Sequence, residues 1–376
     1  MDRSKMTDIY VVVPMYNSAA YILSLFESLE AQSIANELCV VAVDDGSSDE
    51  TLARAEQYVP KSYSMVVLKK EHSGLSDTRN YAIDWILASI SSEDVQRSYV
   101  MYLDSDDGLE PNALEALKSC SIENDADVVF FSASLRYETE EAKRLFGERY
   151  DHYYERNERY VGSYSGPNYL LSTVRAGDFK SSAAMQFTRL SHIANNKLRF
   201  LSGILHEDNL YTLTSTCLAH RVAYLDKELY VRSIHADSIM TKPASWKNAF
   251  GYFKSALAAW SLLSGGSVTL SSEQLEAYET LVDGWLEAAT DYCCALGDEE
   301  VNELLGSLSN CERAVFSSTV QNRVRARDER VQSVAKTRDE AFSQAEQSIR
   351  SQFECSTSWR VGRVVTALPR RLFHRR

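Results

Sequence analysis

The sequence lacks several features that mark common classes of protein. None of its seven cysteines falls into a CxxC or Cys/His metal spacing, which favours reduced thiols in a cytoplasmic compartment. No run of about 18 apolar residues occurs, so we expect no membrane-spanning helix. The first apolar run is too short for a signal peptide and is interrupted by Pro14. We therefore expect a cytoplasmic protein.

Glycine-rich phosphate loops are also absent. The sequence contains neither a Walker-type loop nor GxGxxG, and it lacks the glycine-rich, lysine-bearing N-terminal loop of a sugar nucleotidyltransferase. Excess positive charge is missing too, since the net charge is −13, which argues against a general nucleic-acid binder. What remains is an ordinary globular composition, 44% hydrophobic and 25% charged, in 376 residues, which predicts two or three domains.

The first half of the chain alternates short apolar, β-branched runs with segments of helical spacing. The predicted strands are 9–14, the beginning of 38–51, 64–72 and 98–104, and the predicted helices are 21–32, 52–59 and 75–90. This alternation predicts an α/β domain with a mostly parallel sheet flanked by helices.

Polar residues follow three of these strands, at 14–17, 44–47 and 104–107. Since ligands of such sheets bind beyond the carboxyl ends of the strands, the sequence predicts one site built from all three segments. Each segment also has a simpler interpretation. Residues 104–115 resemble a calcium loop, although Gly108 is out of place and a strand precedes it. Residues 44–51 suit a turn with a helix N-cap, and a strand-end aspartate could be a phosphoacceptor.

Six motifs taken in order resemble the family-2 glycosyltransferases of the GT-A fold that act on bacterial cell-surface polysaccharides. They are "VVVPMYN", "VDDGSSDET", "HSGLSDTRNYAI", "YLDSDDGLEPNAL", "LHEDNLYTL" (205–213) and "YVRSIHADSIMT" (230–241). The resemblance covers roughly residues 7 to 241. It implies an inverting, metal-dependent enzyme that moves a sugar from a nucleotide sugar, usually a UDP-sugar, to a hydroxyl of a cell-surface glycan or lipid-linked acceptor.

The resemblance also implies a domain organisation. Residues 1–241 would form the catalytic domain, with nucleotide-sugar binding in about 1–107 and the acceptor side in about 108–241. Residues 242–315 contain long helical patterns and predict a small helical domain. Residues 316–376 predict a helical segment with a basic tail.

The donor site is implied by residues near the first strands. Asp45 matches the aspartate that accepts a hydrogen bond from the nucleobase, and Tyr16 could pack on the base. Pro14 fixes the backbone at the strand exit. Arg79 matches an arginine that supports the donor site, although a surface ion pair would give the same pattern. His72 stands where many members have Asn, so its donor contact departs from the family.

The acidic motifs imply the chemistry. Asp104-Ser105-Asp106 matches the DxD arrangement, in which the first aspartate lies near the ribose and the last reaches a metal. Hard oxygen ligands suit Mg²⁺ or Mn²⁺. We expect His235 to complete the metal shell, with a structural histidine as the alternative. Asp107 is predicted to cap the next helix, with support of the metal ligands as the alternative.

Glu207-Asp208 matches the family's acidic pair. Its second residue is usually the general base that takes a proton from the acceptor hydroxyl. We therefore predict Asp208 as the base and Glu207 as its support. A solvated acidic pair at a helix N-terminus is the simpler interpretation.

The C-terminal segment predicts interactions beyond the donor and acceptor. Apolar or small residues between 320 and 345 follow an interrupted 4–3 spacing, which suits a weak coiled coil and a homo-oligomer, or a single solvated helix. Residues 357–376 hold six arginines and no acid, interleaved with apolar residues. This pattern favours peripheral contact with the inner face of the plasma membrane, or contact with the protein's own acidic surface. A sugar nucleotidyltransferase and a non-catalytic glycan-assembly scaffold remain the alternative functions.

Overall fold

A computed structural model describes residues 8–235 and 245–355 of the chain. Its first part alternates strands and helices as predicted. The elements are β1 (Ile9–Met15), α1 (Ile22–Glu30), β2 (Leu38–Asp44), α2 (Thr51–Gln57), β3 (Ser64–Lys69), α3 (Leu75–Ser89), α4 (Ser92–Arg97) and β4 (Tyr99–Tyr102). All four predicted strands and all three predicted helices are therefore confirmed.

The chain then continues with shorter strands and further helices. The elements are β5 (Gly108–Leu109), α5 (Ala113–Asn124), β6 (Val128–Tyr137), α6 (Glu140–Tyr150), β7 (Ser163–Tyr164), α7 (Gly166–Ala176), β8 (Gln186–Arg189), α8 (Leu190–Asn195), α9 (Asp208–Leu218) and β9 (Val222–Ile234). Within the described residues, nine strands form one sheet in the order β3-β2-β1-β4-β8-β6-β9-β5, with β7 paired to β9.

The sheet is parallel from β3 through β4 and becomes mixed beyond it. Strand β8 lies antiparallel between β4 and β6, whereas β6 and β9 run parallel to each other. Successive side chains of a strand point to opposite faces, and β1 shows both faces buried. Ile9 and Val11 pack with Leu25 of α1 on one face, and Val12 packs with Ile83 of α3 on the other. The predicted α/β sheet flanked by helices is confirmed.

The C-terminal region is helical. Its elements are α10 (Trp246–Ser264), α11 (Ser272–Cys294), α12 (Asp298–Gly306), α13 (Asn310–Phe316) and α14 (Asn322–Cys355). One compact unit extends to Asn310, and a second begins at Cys311. The predicted domain boundaries at 241 and 315 stay predictions. No helix of 8–235 or 245–355 combines the length and apolar character needed to cross a bilayer. The basic tail at 357–376 and the end of the 230–241 motif lie outside the described residues.

Candidate active site

The carboxyl ends of three parallel strands meet at one edge of the sheet. In the register, Met15 at the end of β1 lies opposite Asp44 at the end of β2. Asp44 in turn lies opposite Lys69 at the end of β3. Buried Pro14 is the last residue but one of β1 and lies opposite Val43. Strand β4 also runs parallel to β1, with Tyr102 at its end opposite Val12. The segments that follow β1, β2 and β4 therefore begin at one edge, as the strand-end argument predicted.

Asp45 is the most heavily hydrogen-bonded side chain of this edge. Its carboxylate accepts the backbone N–H of Ser73 (3.0 Å) and of Gly74 (2.9 Å), and the Lys70 ammonium also contacts it. The His72 Nδ1 atom lies 2.8 Å from the same carboxylate. Burial would raise the pKa of Asp45, but these donors outweigh burial and the pKa is lowered. Asp45 is therefore held as an anion at this edge of the sheet.

His72, which contacts Asp45, belongs to an aromatic pair. The rings of Tyr16 and His72 are stacked with their centroids 4.3 Å apart. Both side chains face solvent, with exposed fractions of 49% for Tyr16 and 54% for the His72 side chain. A flat exposed ring beside a buried carboxylate is an arrangement that can receive a nucleobase.

Arg79 joins the two acidic motifs. Its guanidinium Nη2 atom lies 2.8 Å from Asp104, and Nη1 lies 3.0 Å from Glu207 and 2.9 Å from Asp208. The side chain is 1% exposed and its guanidinium lies over the Phe200 ring at 5.0 Å. Burial acts to lower the pKa of Arg79, but the three carboxylates outweigh it and the pKa is raised. A fixed cation therefore holds residues 104 and 207–208, far apart in sequence, against one another.

Glu207 and Asp208 begin α9 in an environment that resists their ionisation. Burial and the adjacent Asp208 charge raise the pKa of Glu207 to about 7, despite the Arg79 guanidinium. Burial also raises the pKa of Asp208, although Arg79 and the backbone N–H of Ala183 oppose the shift. Carboxyl groups whose pKa values are raised by burial beside a charged partner are candidates for acid–base catalysis.

The two aspartates of the DxD segment, residues 104–106, contact different partners. Asp104 faces Arg79, while Asp106 lies 2.9 Å from the Nε2 atom of His235 and partly exposed Ser105 stands between them. The His235 ring stacks on Tyr21 with centroids 4.8 Å apart. Across the described ranges, no group of three or more His, Cys, Asp or Glu side chains is arranged to hold a metal. Asp106 and His235 nevertheless offer an oxygen and a nitrogen ligand at one place.

The prediction for Asp107 is wrong. The N-cap of the following helix α5 is Asn112, not Asp107. Asp107 is buried and accepts the Tyr230 hydroxyl (2.6 Å) and the Ser233 backbone N–H (2.7 Å). Burial and the charges of its neighbours Asp106 and Asp104 raise its pKa. These two hydrogen bonds anchor the DxD loop to β9, a strand that lies far from the loop in the sequence.

The sequence analysis missed two residues of this site. Lys70 directly follows β3 and contacts Asp45, so the strand-end rule applied to the third strand would have found it. The Tyr230 hydroxyl accepts the backbone N–H of Asp104 at 3.3 Å besides donating to Asp107. Its contact spans 126 residues of sequence, and no local pattern marks it.

Residues 10–170 match the family model described as glycosyl transferase family 2. The glycosyltransferase YibD of Escherichia coli K12 is 26% identical over 229 residues, which are 61% of this chain and 62% of YibD. The glycosyltransferase GlyA of Streptococcus pneumoniae is 26% identical over 235 residues, 61% of this chain and 31% of GlyA. The chain thus spans less than two thirds of the length of these two relatives.

Solved structures share the fold. Residues 1–349 of Staphylococcus aureus TarS in complex with UDP-GlcNAc align with a TM-score of 0.52 and 20% identity, over 86% of this chain and 92% of that one. The mannosyltransferase PcManGT of Pyrobaculum calidifontis, in complex with GDP-Man and Mn²⁺, aligns with a TM-score of 0.51 and 13% identity, over 84% of this chain and 80% of that one. Both are similar to this chain in their α/β architecture.

Proposed function

Because residues 10–170 of this chain belong to glycosyl transferase family 2, we propose that it transfers a sugar from a nucleoside-diphosphate sugar to an acceptor hydroxyl. The donor we propose is a UDP-sugar, and the acceptor is a cell-surface glycan or a lipid-linked precursor. The observation that carries this proposal is the contact of Arg79 with both Asp104 and Asp208. It puts the segment proposed for the donor next to the residue proposed as general base.

The reaction is a direct displacement. The acceptor oxygen bonds to the anomeric carbon while its proton passes to the Asp208 carboxylate. The bond from that carbon to the diphosphate oxygen breaks, and the nucleoside diphosphate leaves with the electron pair. Attack from the face opposite the leaving group inverts the anomeric configuration. Glu207 supports Asp208 through their shared contact with Arg79 Nη1.

The donor base would bind at Asp45. Its two oxygens already receive donors from Lys70, His72 and two backbone amides, which fills the lone pairs of a carboxylate. A base N–H can reach Asp45 only if one donor moves, and the exposed His72 ring is the least constrained of them. We infer that uracil replaces the His72 ring over Tyr16.

Hydrolysis of a panel of nucleotide sugars tests the proposed function. Release of UDP from a UDP-sugar, and no release of pyrophosphate from a nucleoside triphosphate, would support a glycosyltransferase. Pyrophosphate release would identify a sugar nucleotidyltransferase, and no turnover of any donor would favour a scaffold.

A divalent cation, Mg²⁺ or Mn²⁺, would be held by Asp106 and His235, with Asp104 beside it. These few ligands fit such an ion, because proteins commonly bind Mg²⁺ through one or two carboxylates together with substrate phosphates. When bound, the cation would neutralise charge on the leaving diphosphate. A cation in the mannosyltransferase complex named above supports this proposal.

The cation is tested by chelation. We expect EDTA to remove most of the donor hydrolysis and added Mn²⁺ or Mg²⁺ to restore it. Asp106→Ala should raise the Mn²⁺ concentration needed for half-maximal rate, measured by titration. Asp151→Ala is the matched control, since Asp151 is an exposed aspartate bonded to Tyr137. Full activity of Asp106→Ala in EDTA would contradict the assignment.

The nucleobase is tested by thermal shift. UDP should raise the melting temperature more than GDP or ADP, because the base is proposed to replace the His72 ring on Tyr16, and the single ring of uracil matches that space better than the double ring of guanine or adenine. Asp45→Asn keeps the shape but loses the anion, and should reduce the preference for UDP. Equal shifts by the three nucleotides in the wild-type protein would contradict both the donor class and the role of Asp45.

The basic tail is tested by vesicle binding. We propose that residues 357–376 hold the protein at anionic membranes near a lipid-linked acceptor, and that residues 320–345 support a homo-oligomer. Removal of 357–376 should abolish binding to vesicles that contain phosphatidylglycerol and leave hydrolysis of soluble donor intact. Wild-type binding should weaken with salt, since the Debye length falls to about 3 Å at 1 M. Vesicle binding that survives the truncation would assign the tail another role.

A further inference from the structure

Helix α10 lies directly on the two residues that precede the acidic pair. Gly251 of α10 packs so closely on Leu205 that an added Cβ would lie 2.0 Å from the Leu205 carbonyl oxygen and 2.9 Å from its carbon. Backbone atoms cannot move aside as a side chain can, so only glycine fits at this position. The close approach fixes the distance between α10 and the start of Glu207-Asp208.

The same face of α10 also holds His206. Asn248 lies one helical turn before Gly251 and Tyr252, at the i,i+3 and i,i+4 spacings that place side chains on the same side of a helix. Tyr252 stacks on the His206 ring with centroids 4.2 Å apart. The Asn248 Nδ2 atom lies 3.1 Å from His206 Nε2. These two contacts hold His206, the residue immediately before Glu207, in place.

The Asn248 contact has a defined direction. The Asn248 Oδ1 atom accepts the Ser245 backbone N–H at 2.9 Å, in the capping box that begins α10. The amide nitrogen therefore faces His206 and donates to Nε2, which places the ring proton on Nδ1. Burial lowers the pKa of His206 to about 4, so the ring stays neutral at physiological pH.

His206 needs this support because its backbone is strained. Its φ angle is +63°, a left-handed conformation that few residues other than glycine adopt readily. Strained backbone persists where the surrounding structure holds it, and such sites cluster around functional residues. The left-handed turn at 206 redirects the chain so that Glu207 and Asp208 meet Arg79.

We propose that Asn248, Gly251 and Tyr252 are positioning residues that fix Glu207-Asp208 for transfer. The inference rests on the proposed function, and it makes α10, which lies beyond the matched residues 10–170, part of the catalytic apparatus. We propose no role for these three residues in holding the nucleotide. Their loss should therefore affect the rate constant of transfer and not donor binding.

Gly251→Ala tests this inference against a matched control. Gly284 lies in the exposed part of α11 with no atom within 4 Å of an added Cβ, so Gly284→Ala adds the same methyl group without a clash. We expect Gly251→Ala to lower kcat about 10–100-fold, because a misplacement of about 1 Å can cost 10²-fold. Donor KM and UDP affinity should match those of Gly284→Ala. Hydrogen exchange should speed up within 205–212 and remain unchanged around 104–107.

A second pair of variants covers the case in which Gly251→Ala does not fold. Tyr252→Ala should lower kcat, and Tyr252→Phe, which keeps the stacked ring, should recover most of the loss. Equal kcat and equal exchange in folded Gly251→Ala and Gly284→Ala would overturn the inference, as would unchanged kcat in Tyr252→Ala. If the wild-type protein turns over no donor, the proposed function fails, and exchange within 205–212 alone decides whether α10 holds the acidic pair.

Discussion

Asp208→Asn is expected to lower the transfer rate by about 10²–10⁴-fold, the usual contribution of a positioned general base. The amide keeps the shape of the side chain and can still accept a hydrogen bond from Arg79 Nη1. It cannot take the proton of the acceptor hydroxyl. UDP affinity, measured by calorimetry, should change little, because Asp45 and the DxD loop are untouched.

Glu207→Gln is the matched control. It removes the neighbouring carboxylate, which shares the same guanidinium nitrogen, and should cost far less than Asp208→Asn. It should also remove an ionisation near pH 7 from the dependence of kcat on pH, since the pKa of Glu207 is raised to about 7. Fast transfer by Asp208→Asn together with an inactive Glu207→Gln would identify Glu207 as the base. Two active variants would place the base elsewhere.

The parallel half of the sheet and its strand ends could be predicted from sequence because both depend on local patterns. Apolar runs define β1 and β2, and the polar residues that follow them fall at one edge for any parallel arrangement. Asp45 and Asp104 were located in this way. The antiparallel insertion of β8 between β4 and β6 follows no such rule, because its four residues carry no register information of their own.

The contacts that complete the site depend on tertiary packing. Arg79 reaches Glu207 and Asp208 across 128 and 129 residues of sequence. The resemblance gave Arg79 a place at the donor site but not its link to the acidic pair. Asp107 was assigned to a helix cap because Asp is common there, yet its partners Tyr230 and Ser233 come from β9. Sequence spacing alone cannot predict that residues so far apart in the chain are in contact.

Arg79→Met is expected to be the most destabilising substitution in the site. It leaves three carboxyl groups, of Asp104, Glu207 and Asp208, close together without the buried cation that joins them. Removal of one partner from a buried ion pair costs about 3–5 kcal/mol of unfolding free energy. Urea denaturation measures this loss. Arg97→Met is the matched control, because the Arg97–Asp94 pair is half exposed and such pairs contribute about 0–1 kcal/mol.

The loss caused by Arg79→Met should depend on pH in a defined direction. Burial already raises the pKa of Glu207 to about 7 and raises that of Asp208 while Arg79 is present. Without the guanidinium, both pKa values should rise further, so the folded variant binds protons that its unfolded chain releases above about pH 4.5. Stability of the variant therefore falls as pH rises from 5 to 8, and more steeply than stability of the wild type. A deficit relative to wild type that is larger at pH 8 than at pH 5 would support the buried cation as the link between the two acidic motifs, and a deficit independent of pH would show that Arg79 stabilises the fold by packing alone.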